Sequence, residues 1–127
     1  MFVIKKITSM PSRTTELLLE DIVHASDKIL MYTRGMSYYD FSADDKTVDA
    51  VVRNIEIISE AANKIPEQYK TAHPEIDWVS IVNYANHTVL DTSTINYELA
   101  WKIREEDAST LLEQVSALSN EHKRKAY

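Results

Sequence analysis

From Ser12 onward, apolar residues return at steps of three and four, the spacing of one face of an α-helix. Leu18, Ile22, Ala25, Ile29 and Tyr32 share such a face, and Ser12 stands where an N-cap belongs, with Glu16 in the first turn. Gly35 follows Arg34, where a left-handed helix end needs it. The linker MSYYDFSADD carries Tyr38, Tyr39 and Phe41 and is expected to fold back over this first helix. A second stripe, Val48, Val51, Val52, Ile55, Ile58, Ala62 and Ile65, predicts a helix from about Asp45 to Ile65, stopped by Pro66.

Between Pro66 and Pro74 there is room only for a turn or a short helix. Asp77 then caps a third helix with Trp78, Ile81, Val82, Ala85 and Val89 on its core side. Thr92, Ser93 and Thr94 are expected to end it and to cap a fourth, carrying Ile95, Leu99 and Ile103 between Tyr97, Trp101 and charged residues. Asp107 is expected to cap a last helix with Leu111, Leu112, Val115 and Leu118. The pattern predicts an all-α fold, an antiparallel bundle of four to five amphipathic helices with short links. No internal repeat or low-complexity segment interrupts it.

Composition narrows this further. A chain of 127 residues suits one domain, able to bury about two-thirds of its unfolded surface. One glycine and three prolines leave too few turn-makers for an all-β fold. The expected layout is an arm over 1–11, a helical domain over 12–120 and a basic tail over 121–127. With no cysteine there is no disulfide and no thiolate metal site, which fits a reducing, cytoplasmic setting. No apolar run approaches the roughly 18 residues of a membrane span, and MFVIKKIT does not read as a signal peptide. A net charge of −6 exerts no general pull on nucleic acid. The basic cluster HKRKAY reads as a solubilising or dipole-compensating helix end, with an RNA-binding tail as the other reading.

Candidate chemistry is sparse. One glycine cannot build a phosphate loop. Glu20, His24 and Asp27 could share a face as metal ligands, but no second histidine lies at ligand spacing, so a solvated charged face is the plainer reading. On the second helix Asp49, Arg53, Glu56 and Glu60 also share a face. There the fork of Arg53, beside Asn54, suits a phosphate or a partner, while ordinary ion pairing along an exposed helix explains the same spacing. The stretch VNYANHTVLDTST is unusual because it has no Lys or Arg and a single acid, Asp91. It places Asn83 and Asn86 on one flank and His87 further round. His87 could move protons, but no cation exists between residues 71 and 101 to help it with a phosphate. Taken alone, the stretch reads as a polar helix–helix or dimer contact.

The run DAVVRNIEIISEAANKIPEQYKTAHPEIDWVSIV, followed by DTSTINYELAW, resembles the HepT-like proteins of the HEPN superfamily, also called DUF86, from Ser12 to about Leu118. The resemblance implies an all-α HEPN bundle, homodimeric with a cleft between subunits, and the toxin role in HEPN/MNT toxin–antitoxin pairs. It also implies metal-independent, cofactor-free endoribonuclease activity through an Arg-(four to six residues)-His-x-Tyr motif, in which arginine stabilises the scissile phosphate and histidine handles protons. The implied antitoxin is a minimal nucleotidyltransferase that transfers AMP to the motif tyrosine. With Trp78 and Trp101 as brackets, the motif arginine falls on Ala85, the histidine on Leu90 and the tyrosine on Thr92. Asn86 keeps the asparagine common beside the arginine, and Arg53, Asn54 and Glu60 match the second-helix residues facing the same cleft. His87 is three positions out of register, a turn of about 300° on a helix. The expectation is a dimer that has lost family-type cleavage but keeps its partner. The alternatives are a ribonuclease with a relocated site using Arg53, Asn86 and His87, or a module that binds a nucleotide or RNA without cutting it.

Overall fold

A computed structural model of the chain describes residues 13–91 and 93–125. The expected arm, the Ser12 cap and Thr92 lie outside the described residues, as do the side chains of the basic tail from His122 onward. The described chain forms helices α1 (Arg13–Tyr32), α2 (Tyr38–Ser42), α3 (Asp45–Lys64), α4 (Glu67–Ala72) and α5 (Trp78–Thr88). A two-stranded antiparallel hairpin follows, β1 (Val89–Asp91) with β2 (Thr94–Ile95). Helix α6 (Tyr97–Lys102), a π-turn (Ile103–Asp107) and α7 (Ala108–Lys125) then run on without a break. The architecture is the all-α bundle that the periodicity predicts, with α1 packed on both α3 and α7, and α5 on α3.

Local chemistry sets the boundaries. Helix α1 ends because Gly35 turns left-handed at φ 77, a conformation that a Cβ would strain. Ser37 and Asp40 form a reciprocal capping box that starts α2. This short helix packs mainly on α3 and α6, rather than over α1 as expected, and drives Phe41 fully into the core, while Tyr39 stays exposed. The Asp44 carboxylate accepts from the Thr47 amide at 3.2 Å and caps α3. That helix stops at Ile65, which the following proline holds extended. All seven apolar residues predicted for α3 are buried. Asp77 caps α5 by accepting from the amide and hydroxyl of Ser80.

Four further expectations need correction. On α1 the buried residue is Leu19; Leu18 is half-buried and Tyr32 is 40% exposed. Packing against two helices also draws Thr15, Ser26 and Thr33 inside, which a single apolar stripe does not reveal. Val89 and Ile95 belong to the hairpin, not to helices, because α5 stops at Thr88, whose carbonyl accepts from the Asn96 amide at 2.8 Å. Asn96, rather than the Thr92–Thr94 hydroxyls, caps α6. Asp107 caps nothing, since the helix passes straight through it and its carboxylate turns to Tyr84 of α5. Among the described residues no helix is long and apolar enough to cross a membrane.

Candidate functional site

The α3–α5 pair carries the residues on which the resemblance centres. The two helices run antiparallel, as Ser59 lies against Ile81 and Ala85 while Asn63 shares a cleft with Val79 and Asn83. At their closest approach the Ser59 hydroxyl donates to the Ile81 carbonyl at 2.9 Å and accepts from the Ala85 amide at 3.0 Å. These two backbone groups are the i and i+4 partners of one α-helical bond, so Ser59 is a side chain wedged into the ladder of α5. A hydroxyl can do this because it donates and accepts at once. Nothing in the α3 periodicity singles Ser59 out except a polar residue at a core position.

Ala85 is half-buried and pinned through its amide, with only a methyl group to offer where the resemblance would put the motif arginine. Leu90, where the resemblance would put the motif histidine, sits in β1 and is 61% exposed. The turn after it is organised by Asp91, which accepts from the Ser93 amide at 2.9 Å and hydroxyl at 3.1 Å. Those bonds hold its carboxyl below the usual range. Asn83 and Asn86 spend their amides locally, Asn83 on the Val79 carbonyl at 2.8 Å and Asn86 on Asn83 at 3.5 Å. His87 is exposed.

The second-helix residues behave differently from one another. Arg53 is exposed, and among the described residues it makes no ion pair. Glu60 pairs with Lys64 at 3.2 Å, one turn on and exposed. Asn54 is buried and donates to the Ala50 carbonyl at 2.8 Å, so its amide serves its own helix. Antiparallel pairing brings Arg53, about 9 Å back along α3 from Ser59, to the same end of the pair as the hairpin. No hydrogen bond or ion pair among the described residues links it to Asn86 or His87. A surface cleft of about 570 Å³ lies at the other end of α5 between Asn63, Lys70, Trp78 and Val79, and its lining includes none of residues 85 to 91. Glu20 and His24 line a smaller hollow against α7, and among the described residues no three His, Asp or Glu side chains gather to hold a metal.

Behind α5 the pattern missed a polar strut. The Tyr84 hydroxyl meets the Asp107 carboxylate, which burial pushes up against the opposing effect of that hydrogen bond, and burial raises the Tyr84 phenol too. The π-turn carries Asp107 to this position and turns Arg104 toward the end of α1. Neither contact was legible in the sequence, where Asp107 reads as a helix cap and Arg104 as one more charged residue of the fourth helix.

Residues 22–118 match the HepT-like family, described as ribonuclease HepT-like. A protein of Thermococcus cleftensis named as a probable ribonuclease HepT is 37% identical over 93 residues, 73% of this chain and 84% of its own length. A candidate RNase of Methanocaldococcus jannaschii is 31% identical over 94 residues, 74% of this chain and 78% of its own length. No solved structure matches. By the span of the family match and the identity to these relatives, the chain belongs to the HepT-like ribonuclease family.

Proposed function

We propose that this chain is the toxin-side member of a HEPN/MNT-type pair, a cytoplasmic homodimer that has lost family-type RNA cleavage and keeps its nucleotidyltransferase partner. One observation carries the reading: the two positions that would supply a cation and a titratable ring hold Ala85 and Leu90. Alanine places no charge on a phosphate and leucine has no proton to transfer. Neighbouring groups do not take over the roles. Arg53 is on another helix and, among the described residues, makes no hydrogen bond or ion pair to the strip, and His87 is three positions out of register with no lysine or arginine between residues 71 and 101. General acid–base catalysis is worth about 10²–10⁴ in rate and a positioned charge-stabilising donor about 10²–10³, so losing both removes cleavage by this route.

The test is incubation of unstructured RNA with the purified protein, with His87→Ala, and with the double variant Ala85→Arg plus Leu90→His. Cleavage by the double variant alone supports the reading. Cleavage by the wild type that His87→Ala abolishes overturns it in favour of a relocated site. The partner half of the proposal is checked by co-expression with a nucleotidyltransferase encoded beside this chain, where failure to co-purify counts against it.

A further inference from the structure

The cleft of about 570 Å³ at the start of α5 lies within the size range of small-molecule sites, and none of the residues on which the resemblance centres lines it. Lys70 of α4 does line it and is only 8% exposed. An ammonium has three N–H donors. Among the described residues its one polar contact is the Glu67 carboxylate at 3.7 Å, on a side chain that is itself 88% exposed. That is longer than the roughly 2.7–2.9 Å of a charge-assisted hydrogen bond. A cation withdrawn from water without close partners costs free energy, and an anionic oxygen entering the cleft offsets that cost. The first turn of α5 borders the same space with the positive end of its helix dipole.

The rest of the lining disfavours a plain anion. Asp77 is spent on the amide and hydroxyl of Ser80, and Glu75 meets Nδ1 of His73 at 3.5 Å. Even so, the carboxylates of Glu67, Glu75 and Asp77 stand against a single lysine. A phosphate dianion would meet like charge there, so the ligand that fits carries a positive group beside its negative one. An apolar wall completes the site. Trp78, fixed by Nε1 donating to the His73 carbonyl at 2.9 Å, stands with Val82 and with Val79, which is 74% exposed. We propose that this cleft binds a free α-amino acid with a large apolar side chain. The carboxylate meets Lys70, the ammonium lies against Glu67 and Glu75, and the side chain covers Val79 and Val82 beside Trp78. The site is separate from the lost motif and stands whether or not the chain cuts RNA.

The experiment is titration of the full chain with L-leucine and with L-phenylalanine, followed through the NMR shifts of the Trp78 indole N–H and the Val79 amide. N-acetyl-leucine, which lacks the ammonium, leucinamide, which lacks the carboxylate, and inorganic phosphate are the comparisons. The expected result is saturable binding of at least one amino acid, weakened about tenfold or more by either cap and by Lys70→Met, as for the loss of a hydrogen bond to a charged group. Phosphate binds more weakly than the amino acid. Val79→Glu, at an exposed position, sets a charge against the apolar side chain and weakens binding to a similar degree, which keeps the test decisive if Lys70→Met fails to fold. Absent binding of both amino acids, capped forms that bind as well as their parent, or affinity that the variants leave unchanged overturns the proposal. Phosphate binding tighter than either amino acid also overturns it and assigns the cleft to a plain anion.

Discussion

Arg104 grips Thr33 across 71 positions of chain, Nε donating to the Thr33 hydroxyl at 2.7 Å and Nη2 to its carbonyl at 3.3 Å. The Thr33 carbonyl already accepts from the Met36 amide at 3.0 Å, so the guanidinium adds a second, charged donor there, and its charge suits the negative end of the helix dipole. The Thr33 hydroxyl in turn donates back to Ile29 at 2.7 Å, so a single contact closes the end of α1 on the π-turn.

Arg104→Ala is therefore expected to lower the unfolding free energy by about 2 kcal/mol, the worth of hydrogen bonds to a charged group. Arg104→Lys restores less than half of that, since an ammonium cannot reproduce the two-point fork or the stack on Trp101. Urea unfolding checks this through a shifted midpoint at unchanged slope. A midpoint within error of the wild type would show that the grip contributes nothing.

The Ser59 wedge leads to a smaller effect with a local signature. Removing the hydroxyl in Ser59→Ala allows the Ile81 carbonyl and the Ala85 amide to bond each other, so the cost is held to about 1 kcal/mol. Ser59→Leu forces bulk between two close helices and costs more, in the range of about 1–3 kcal/mol. Hydrogen exchange at the Ala85 amide is the discriminating measurement: it remains protected in Ser59→Ala and loses protection in Ser59→Leu.

Asp107 gives the stability a dependence on pH. Burial raises its carboxyl above the ordinary 3.8, so the folded state holds a proton that the unfolded state has released. Above 3.8 that difference favours the unfolded chain, and stability falls as pH rises toward the folded value. Asp44, Asp77 and Asp91 are shifted down by their hydrogen bonds to Thr47, Ser80 and Ser93, so their contribution rises with pH below 3.8 and is complete above it. Asp107→Asn keeps an acceptor for Tyr84 and removes the charge. The stability gained by Asn over the wild type should widen from pH 3.8 upward and then level off. A gap that stays constant across that range would contradict the raised carboxyl.

These contacts mark where sequence legibility ends. The stripe of α3 was readable because seven apolar residues at helical spacing all point one way, and Gly35 was readable because only a positive φ explains a lone glycine there. The hairpin was not, since strands of three and two residues are too short to display a period. Asp107 has the identity of a cap and Arg104 that of a surface charge, but both are defined by residues far off in sequence, Tyr84 and Thr33. The candidate site followed the same division. The family resemblance drew attention to Ala85 and Leu90, but no pattern in the chain predicted that Ser59 would fix the Ala85 backbone.

Thr88 ends α5 fully buried, and among the described residues its hydroxyl has no hydrogen-bond partner. An unsatisfied buried hydroxyl is a cost to the fold that an isosteric methyl does not incur. Thr88→Val fills the same volume and suits the extended backbone that begins at Val89. It should raise the unfolding free energy by up to about 1 kcal/mol, seen as a higher thermal midpoint. Thr88→Ser keeps the hydroxyl and loses the methyl contacts, so it should lower the midpoint. If Val destabilises as much as Ser, the hydroxyl has a partner, such as a buried water, and its removal is what the fold cannot tolerate.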